Sequence, residues 1–103
     1  VIDARFLPNP YFVEELKALP GTETRIRDYL WGFAETREFV NQVQSLIEYL
    51  LPLYEREGKA YLTVAIGCTG GKHRSVAIAE RMGGVFTERF PVRVRHRDLE
   101  DGP

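Results

Sequence analysis

The stretch YLTVAIGCTGGKHRSVAIAE, residues 61–80, constrains the fold more than any other part of this chain. Residues 61–66 are aromatic, β-branched or apolar apart from one Thr, the composition of a strand covered on both faces. Gly67, Cys68, Thr69, Gly70 and Gly71 follow. Two adjacent glycines reach backbone conformations closed to other residues, which lets successive N–H groups turn inward as an anion-binding nest. From Lys72 or His73 onward the pattern is helical, with Val76, Ala77 and Ile78 directed inward and Glu80 and Arg81 outward. Strand, glycine loop and helix in that order predict an α/β unit with a phosphate-binding loop between its central strand and the next helix.

The loop ends on a helix N-terminus, where unpaired N–H groups and the macrodipole favour an anion, phosphate above all. Lys72, His73, Arg74 and Ser75 add donors there. Three cationic side chains in a first turn oppose the dipole, and a bound anion would relieve that conflict. The plainer alternative is a tight αβ turn whose basic residues face water. The spacing excludes a Walker A loop, because Lys72 stands where the second glycine belongs, and no GxGxxG occurs. Cys68, five residues, then Arg74 and Ser75 matches the Cys-x5-Arg-Ser spacing of cysteine phosphatases, in which amides and an Arg hold a phosphoryl group over a thiolate. That chemistry also needs a general acid on another loop, and no residue is evidently placed for it. Cys68 otherwise reads as a small buried hydrophobe at a strand end.

Taken in order, residues 1–5 read as a short strand, and Pro8 and Pro10 keep the next loop extended. Asn9 is a good helix cap and Pro10 a good first helical residue, so a helix through Phe12, Val13 and Leu16 is expected to run up to Leu19-Pro20-Gly21. Thr22 is placed to cap a second short helix carrying Ile26, Tyr29 and Leu30, with Gly32 ending it. Phe39, Val40, Val43, Leu46, Ile47, Leu50 and Leu51 recur at steps of three and four, which predicts one long amphipathic helix over residues 35–54, kinked or ended by Pro52. The helix after the loop is expected to stop near Gly83-Gly84. In residues 91–96, Val92 and Val94 alternate with Arg93 and Arg95, the pattern of a strand with one buried and one basic face.

Three strands joined by helices imply right-handed crossovers and a small, mostly parallel sheet with helices on both faces. Ligands of such sheets bind beyond the carboxyl ends of the strands. Those ends lie at residues 3–5, 67–68 and 96–97, which makes Asp3, Arg5, His96 and Arg97 further candidates: the arginines for phosphate or RNA, Asp3 or His96 for sugar hydroxyls or an amine. Each of the four also reads as a plain surface or capping residue.

The string GCTGGKHRS, with the opening VIDARFLPNP and the late RHRDLE, resembles the C-terminal domain of the RapZ-type RNase adapter proteins over nearly all 103 residues. The resemblance implies a cytoplasmic bacterial domain that senses glucosamine-6-phosphate and, in some members, binds small regulatory RNA and presents it to RNase E. It favours the crevice role of Asp3, Cys68, Thr69, Gly70, His73 and Arg74, which lie in the matching segments. It also implies self-association, for which the aromatic segment at residues 29–33 is a candidate interface. Full-length members carry an N-terminal P-loop nucleotide-binding domain, and none is read in this chain. Two departures stand out: Tyr11 occupies a position associated with His in better-known members, and the tail is acidic where RNA-binding members have a basic one.

Residues 1–60 hold 7 Lys or Arg against 10 Asp or Glu, whereas residues 61–97 hold 7 against 2, so the small net charge of −1 hides a basic half. Lys72, Arg93, Arg95 and Arg97 are the candidates there for RNA contact, while Asp98, Glu100 and Asp101 make the acidic tail. The length suits a single domain over residues 1–103 with one core, and 44% hydrophobic residues argue against disorder. One Cys excludes an internal disulfide, no apolar run approaches the ~18 residues of a membrane span, and no signal peptide is read, so a reducing cytoplasm is the expected compartment. The chain opens inside the first strand without Met, as a processed or excised fragment would. No metal or cofactor is expected, since no His, Cys and carboxylate cluster has ligand spacing. Three readings follow: a sensor of a phosphorylated amino sugar, a cysteine phosphatase using Cys68 and Arg74, and an RNA or protein adapter module.

Overall fold

The computed structural model describes residues 1–58, 61–69 and 71–97. Strand β1 (Ile2–Asp3) lies parallel to β2 (Ile66–Gly67), with Ile2 opposite Ile66 and Asp3 opposite Gly67. Ile2 N–H donates to the Ala65 carbonyl and Ala4 N–H to the Gly67 carbonyl, each at 2.7 Å. Both strands are therefore in register at their carboxyl ends. The arrangement is α/β, as the alternation of patterns requires, with a two-strand ladder where three strands were expected. Residues 91–96 form no strand, and of the strand expected over residues 61–66, covered on both faces, only Ile66 joins the ladder while residues 61–65 are exposed. Val92 and Val94 have the right alternation, but alternation specifies only a face, while a ladder also needs a backbone partner in register.

After β1 the chain turns at Asn9, whose side chain accepts from Tyr11 N–H at 3.1 Å, and Pro10 is buried at the start of a short 3₁₀ helix, Pro10–Phe12. The expected helix does not continue beyond it. Successive turns replace it, with Leu16 and Lys17 N–H both donating to the Val13 carbonyl at 2.9 Å. So few residues between Pro10 and Pro20 cannot repay the cost of helix nucleation without tertiary help. Helix α1 (Thr24–Trp31) follows, with Glu23 rather than Thr22 at its N-cap and Gly32 at its C-cap.

Helix α2 (Ala34–Arg56) carries the strongest periodicity and buries Val40, Val43 and Ile47 on one face. It runs through Pro52 instead of ending there. Proline removes one hydrogen bond, and near a C-terminus only one further turn depends on the result. That turn is closed by Glu57 N–H on the Leu53 carbonyl at 3.2 Å, and Gly58, at φ 78°, supplies the left-handed residue that lets the chain leave.

Helix α3 (Arg74–Phe86) passes through Gly83 and Gly84, which were expected to stop it. Gly83 has a packing reason to be there: a Cβ at that position would run into Val94 Cγ2. The helices and strands share two apolar clusters. One joins Ala4 and Leu7 to Val40, Val43, Ile47, Ile78, Met82 and Phe86; the other joins Leu16 to Ile26, Leu30 and Ala77. Ala4 and Leu7 meet Ile78, Met82 and Phe86 in the first, so the chain leaving β1 and the body of α3 are held by the same core. Each fully buried side chain such as Ile26 or Ile78 contributes about 1.5–3 kcal/mol relative to exposure. No helix among the described residues is long and apolar enough to cross a membrane.

Candidate functional site

The register of β1 and β2 sets Asp3 beside Gly67, so the loop that leaves β2 starts next to the chain that leaves β1. Beyond Asp3 the backbone turns, and Arg5 folds back onto the carboxylate. Arg5 N–H donates to Asp3 Oδ1 at 2.9 Å, Arg5 Nε lies 3.0 and 2.9 Å from the two carboxylate oxygens, and Nη2 lies 2.7 Å from Oδ2. The hydrogen bond from the Arg5 guanidinium holds the Asp3 carboxyl below its usual range, and the Arg5 backbone N–H adds to this. The same bond raises Arg5. The pair is solvent-exposed, and an incoming anion would meet a guanidinium already bound to a carboxylate.

Across the edge, Cys68 is tied to the first turn of α3. Ser75 N–H donates to Cys68 Sγ and the thiol donates to Ser75 Oγ, both at 3.3 Å. Thr69 follows, Gly70 lies outside the described residues, and Gly71 takes φ 65°, a left-handed conformation that suits glycine. Lys72 is exposed. His73 stands at the N-cap of α3 with φ −115° and makes no side-chain cap bond, so the helix dipole is not offset by a capping acceptor. Burial lowers the His73 pKa below 6.5; hydrogen bonds to the Leu19 and Lys17 carbonyls oppose the shift, while the charges of Arg74 and Lys72 add to it.

Arg74 sits differently from the phosphate clamp expected of it. Its side chain is buried, and Nη1 donates to the Arg5 carbonyl at 2.5 Å and to the Leu7 carbonyl at 3.1 Å. It ties the exit of β1 to the start of α3 across almost seventy residues of sequence. Among the described residues its Nε has no hydrogen-bond partner. Nη1 is thus committed to backbone oxygens rather than free for a phosphoryl group over Cys68.

The turn at residues 17–21, read in the sequence only as a helix stop, turns out to support the loop from outside. Gly21 N–H donates to the Lys72 carbonyl at 2.7 Å. A Cβ at Gly21 would strike the His73 carbonyl and lie 2.7 Å from Val76 Cβ. The one signal in the sequence is Gly21 itself, since a glycine that follows Pro20 serves a turn equally well.

Asp3, Arg5, Cys68, Thr69, Gly71, Lys72, His73, Arg74 and Ser75 are thus gathered at one edge. His96 belongs elsewhere: its Nε2 lies 2.7 Å from Glu80 Oε1, in the second turn of α3. Arg93 and Arg95 line a groove of about 350 Å³ with Tyr61, Leu62 and Val64, and Arg97 is exposed. The basic residues proposed for RNA contact therefore divide between two places, Lys72 at the loop and the arginines on the 93–97 segment.

The sequence model of the RapZ C-terminal domain matches residues 1–100. A nucleotide-binding protein of Geotalea uraniireducens (strain Rf4) is 54% identical over 103 residues, covering 99% of this chain and 36% of that protein. One from Anaeromyxobacter sp. (strain K) is 53% identical over 104 residues, with 97% and 34% covered, and one from Brevibacillus brevis is 49% identical over 100 residues, also with 97% and 34% covered. The chain spans about a third of the length of these curated relatives.

Proposed function

Because the chain belongs to the RapZ C-terminal domain family, we propose that it is a metabolite-sensing domain whose loop at residues 67–75 takes the phosphate of an amino-sugar phosphate such as glucosamine-6-phosphate. The observation that carries this reading is the side-by-side placement of Asp3 and Gly67 at the head of the uncapped helix α3. The α3 N-terminus and Lys72 supply the positive potential for the phosphate. Asp3, held ionised by Arg5, offers a carboxylate to hydroxyls or an ammonium group at the neighbouring strand end. Arg74 serves this site by positioning its two halves through the Arg5 and Leu7 carbonyls. In a longer protein of the family the domain would report the bound sugar to an RNase-adapter function, handing its state to RNA or a partner protein through ligand-dependent affinity. Self-association and a cytoplasmic location belong to the same reading.

Calorimetric titration with glucosamine-6-phosphate, with glucosamine and inorganic phosphate as controls, tests it. The expected result is binding of the sugar phosphate well above both controls, weakened in Lys72→Ala, whose exposed side chain leaves the fold unaffected. Equal binding of inorganic phosphate alone would reduce the site to a general anion loop.

A further inference from the structure

Residues 91–96 lie where a third strand belongs and yet join no ladder. Three contacts set their direction. Phe90 N–H donates to the Phe86 carbonyl at 3.0 Å, which starts the segment at the end of α3. Val94 rests on Gly83, and His96 reaches Glu80 at 2.7 Å. The segment therefore runs back along α3, and since α3 itself runs back from the end of β2, it runs parallel to β2. Strand, helix and parallel extended segment are the three parts of a crossover unit.

Between this segment and residues 61–66 lies the groove of about 350 Å³. Its two lips are exposed to the same degree: Leu62 38% and Val64 39% on one side, Val92 40% and Val94 38% on the other. Closing the groove would bury apolar surface from both lips and give both backbones a hydrogen-bonding partner. The charge pattern favours an intramolecular partner over a second copy. Arg93 and Arg95 would stand opposite like charges if two copies of residues 91–96 paired, whereas residues 61–66 carry no charge at all.

We infer that residues 91–96 are a strap that closes onto residues 61–66 as a third parallel strand, and that occupation of the crevice favours the closed form. The coupling rests on the site proposed above. Closure brings the carboxyl end of the strap, His96 and Arg97, level with the carboxyl ends of β1 and β2. An anion held at the head of α3 then gains Arg97 as a cationic neighbour, and a ligand shifts a two-state equilibrium only through such a difference in affinity.

Amide hydrogen exchange read by mass spectrometry, with calorimetry on the same sample, tests the strap. Without ligand, amides of residues 62–64 and 92–95 exchange rapidly; with saturating glucosamine-6-phosphate they slow by at least about tenfold, as a newly formed ladder requires. Calorimetric binding with unchanged exchange in both segments overturns the strap and leaves the site standing. Strand-like protection already present without ligand overturns the switch, because the groove is then closed at rest. Absence of calorimetric binding overturns the site and the coupling with it.

Discussion

The two ends of the β2 segment are built on opposite terms. At its carboxyl end, hydrogen bonds join residues 5, 7, 21, 68, 72, 74 and 75, and Leu7, Gly21, Arg74 and Ser75 are buried there. At its amino end, Leu62 and Val64 face an open groove and Thr63 belongs to no ladder. A buried hydrogen-bonded network admits one arrangement, since any slip strands a donor or acceptor away from water. An apolar groove admits several. The contrast assigns rigidity to the end that would hold a ligand and freedom to the end that would respond to it.

The largest expected effect comes from breaking the rigid end. Arg74→Ala removes the donor for the Arg5 carbonyl and the buried Leu7 carbonyl and leaves a cavity at the junction of β1 and α3, a loss of roughly 3 kcal/mol or more in urea denaturation. A loss below about 1 kcal/mol would show that Arg74 is not the tether described here. Gly21→Ala comes next. Its Cβ meets backbone and a buried Val76 rather than the end of a flexible side chain, and the expected cost is about 1–3 kcal/mol. Sugar-phosphate binding, where measurable, should fall with it, because Gly21 holds the Lys72 carbonyl in place.

What was legible in the sequence follows the range of the interactions. Local ones were readable: the Asn9 cap and Pro10 start, the α2 stripe of Val40, Val43 and Ile47, and the onset of a helix after the glycine loop, whereas the strand before that loop is shorter and more exposed than its composition suggested. Non-local ones were not. Arg74 looked like a ligand clamp because its sequence neighbours are loop residues, and its actual partners are carbonyls, which carry no sequence signature. Gly21 and Gly83 each looked like an ending, and each instead marks a close approach by a distant segment. Residues 91–96 have a strand's alternation, but pairing depends on a backbone elsewhere in the chain.

A gain is expected where the molecule has room. Gly84, adjacent to Gly83 in the same helix, has nothing within 4 Å of the position a Cβ would take. Gly84→Ala should therefore stabilise by about 0.5–1 kcal/mol, the helix-propensity difference alone. Gly83→Ala should instead displace Val94 from α3 and loosen residues 91–96 while the core clusters persist. Thermal melts of the two variants separate the readings, and equal shifts in both would remove the contact of Val94 with α3 from the account.

The smallest effect concerns protons, and its sign follows from His73. Burial holds its pKa below the ordinary 6.5, with the charges of Arg74 and Lys72 acting the same way. As pH falls below 6.5 the unfolded chain takes up a proton that folded His73 accepts only at lower pH, so the folded state loses stability across that interval and no further below it. Asp3 adds a second loss at more acid pH: hydrogen-bonded to Arg5, its carboxyl stays ionised in the folded chain below 3.8, where unfolded Asp already binds a proton. Urea midpoints measured at about pH 7.5, 5.5 and 3 should therefore fall with acidification, and His73→Gln should flatten the step between the first two while leaving the Asp3 step to the third intact. A profile equally steep in the variant would move the titrating group away from the loop. The expected flattening would show that the head of α3 resists a proton below pH 6.5, a cost that a bound anion would offset by favouring the protonated ring.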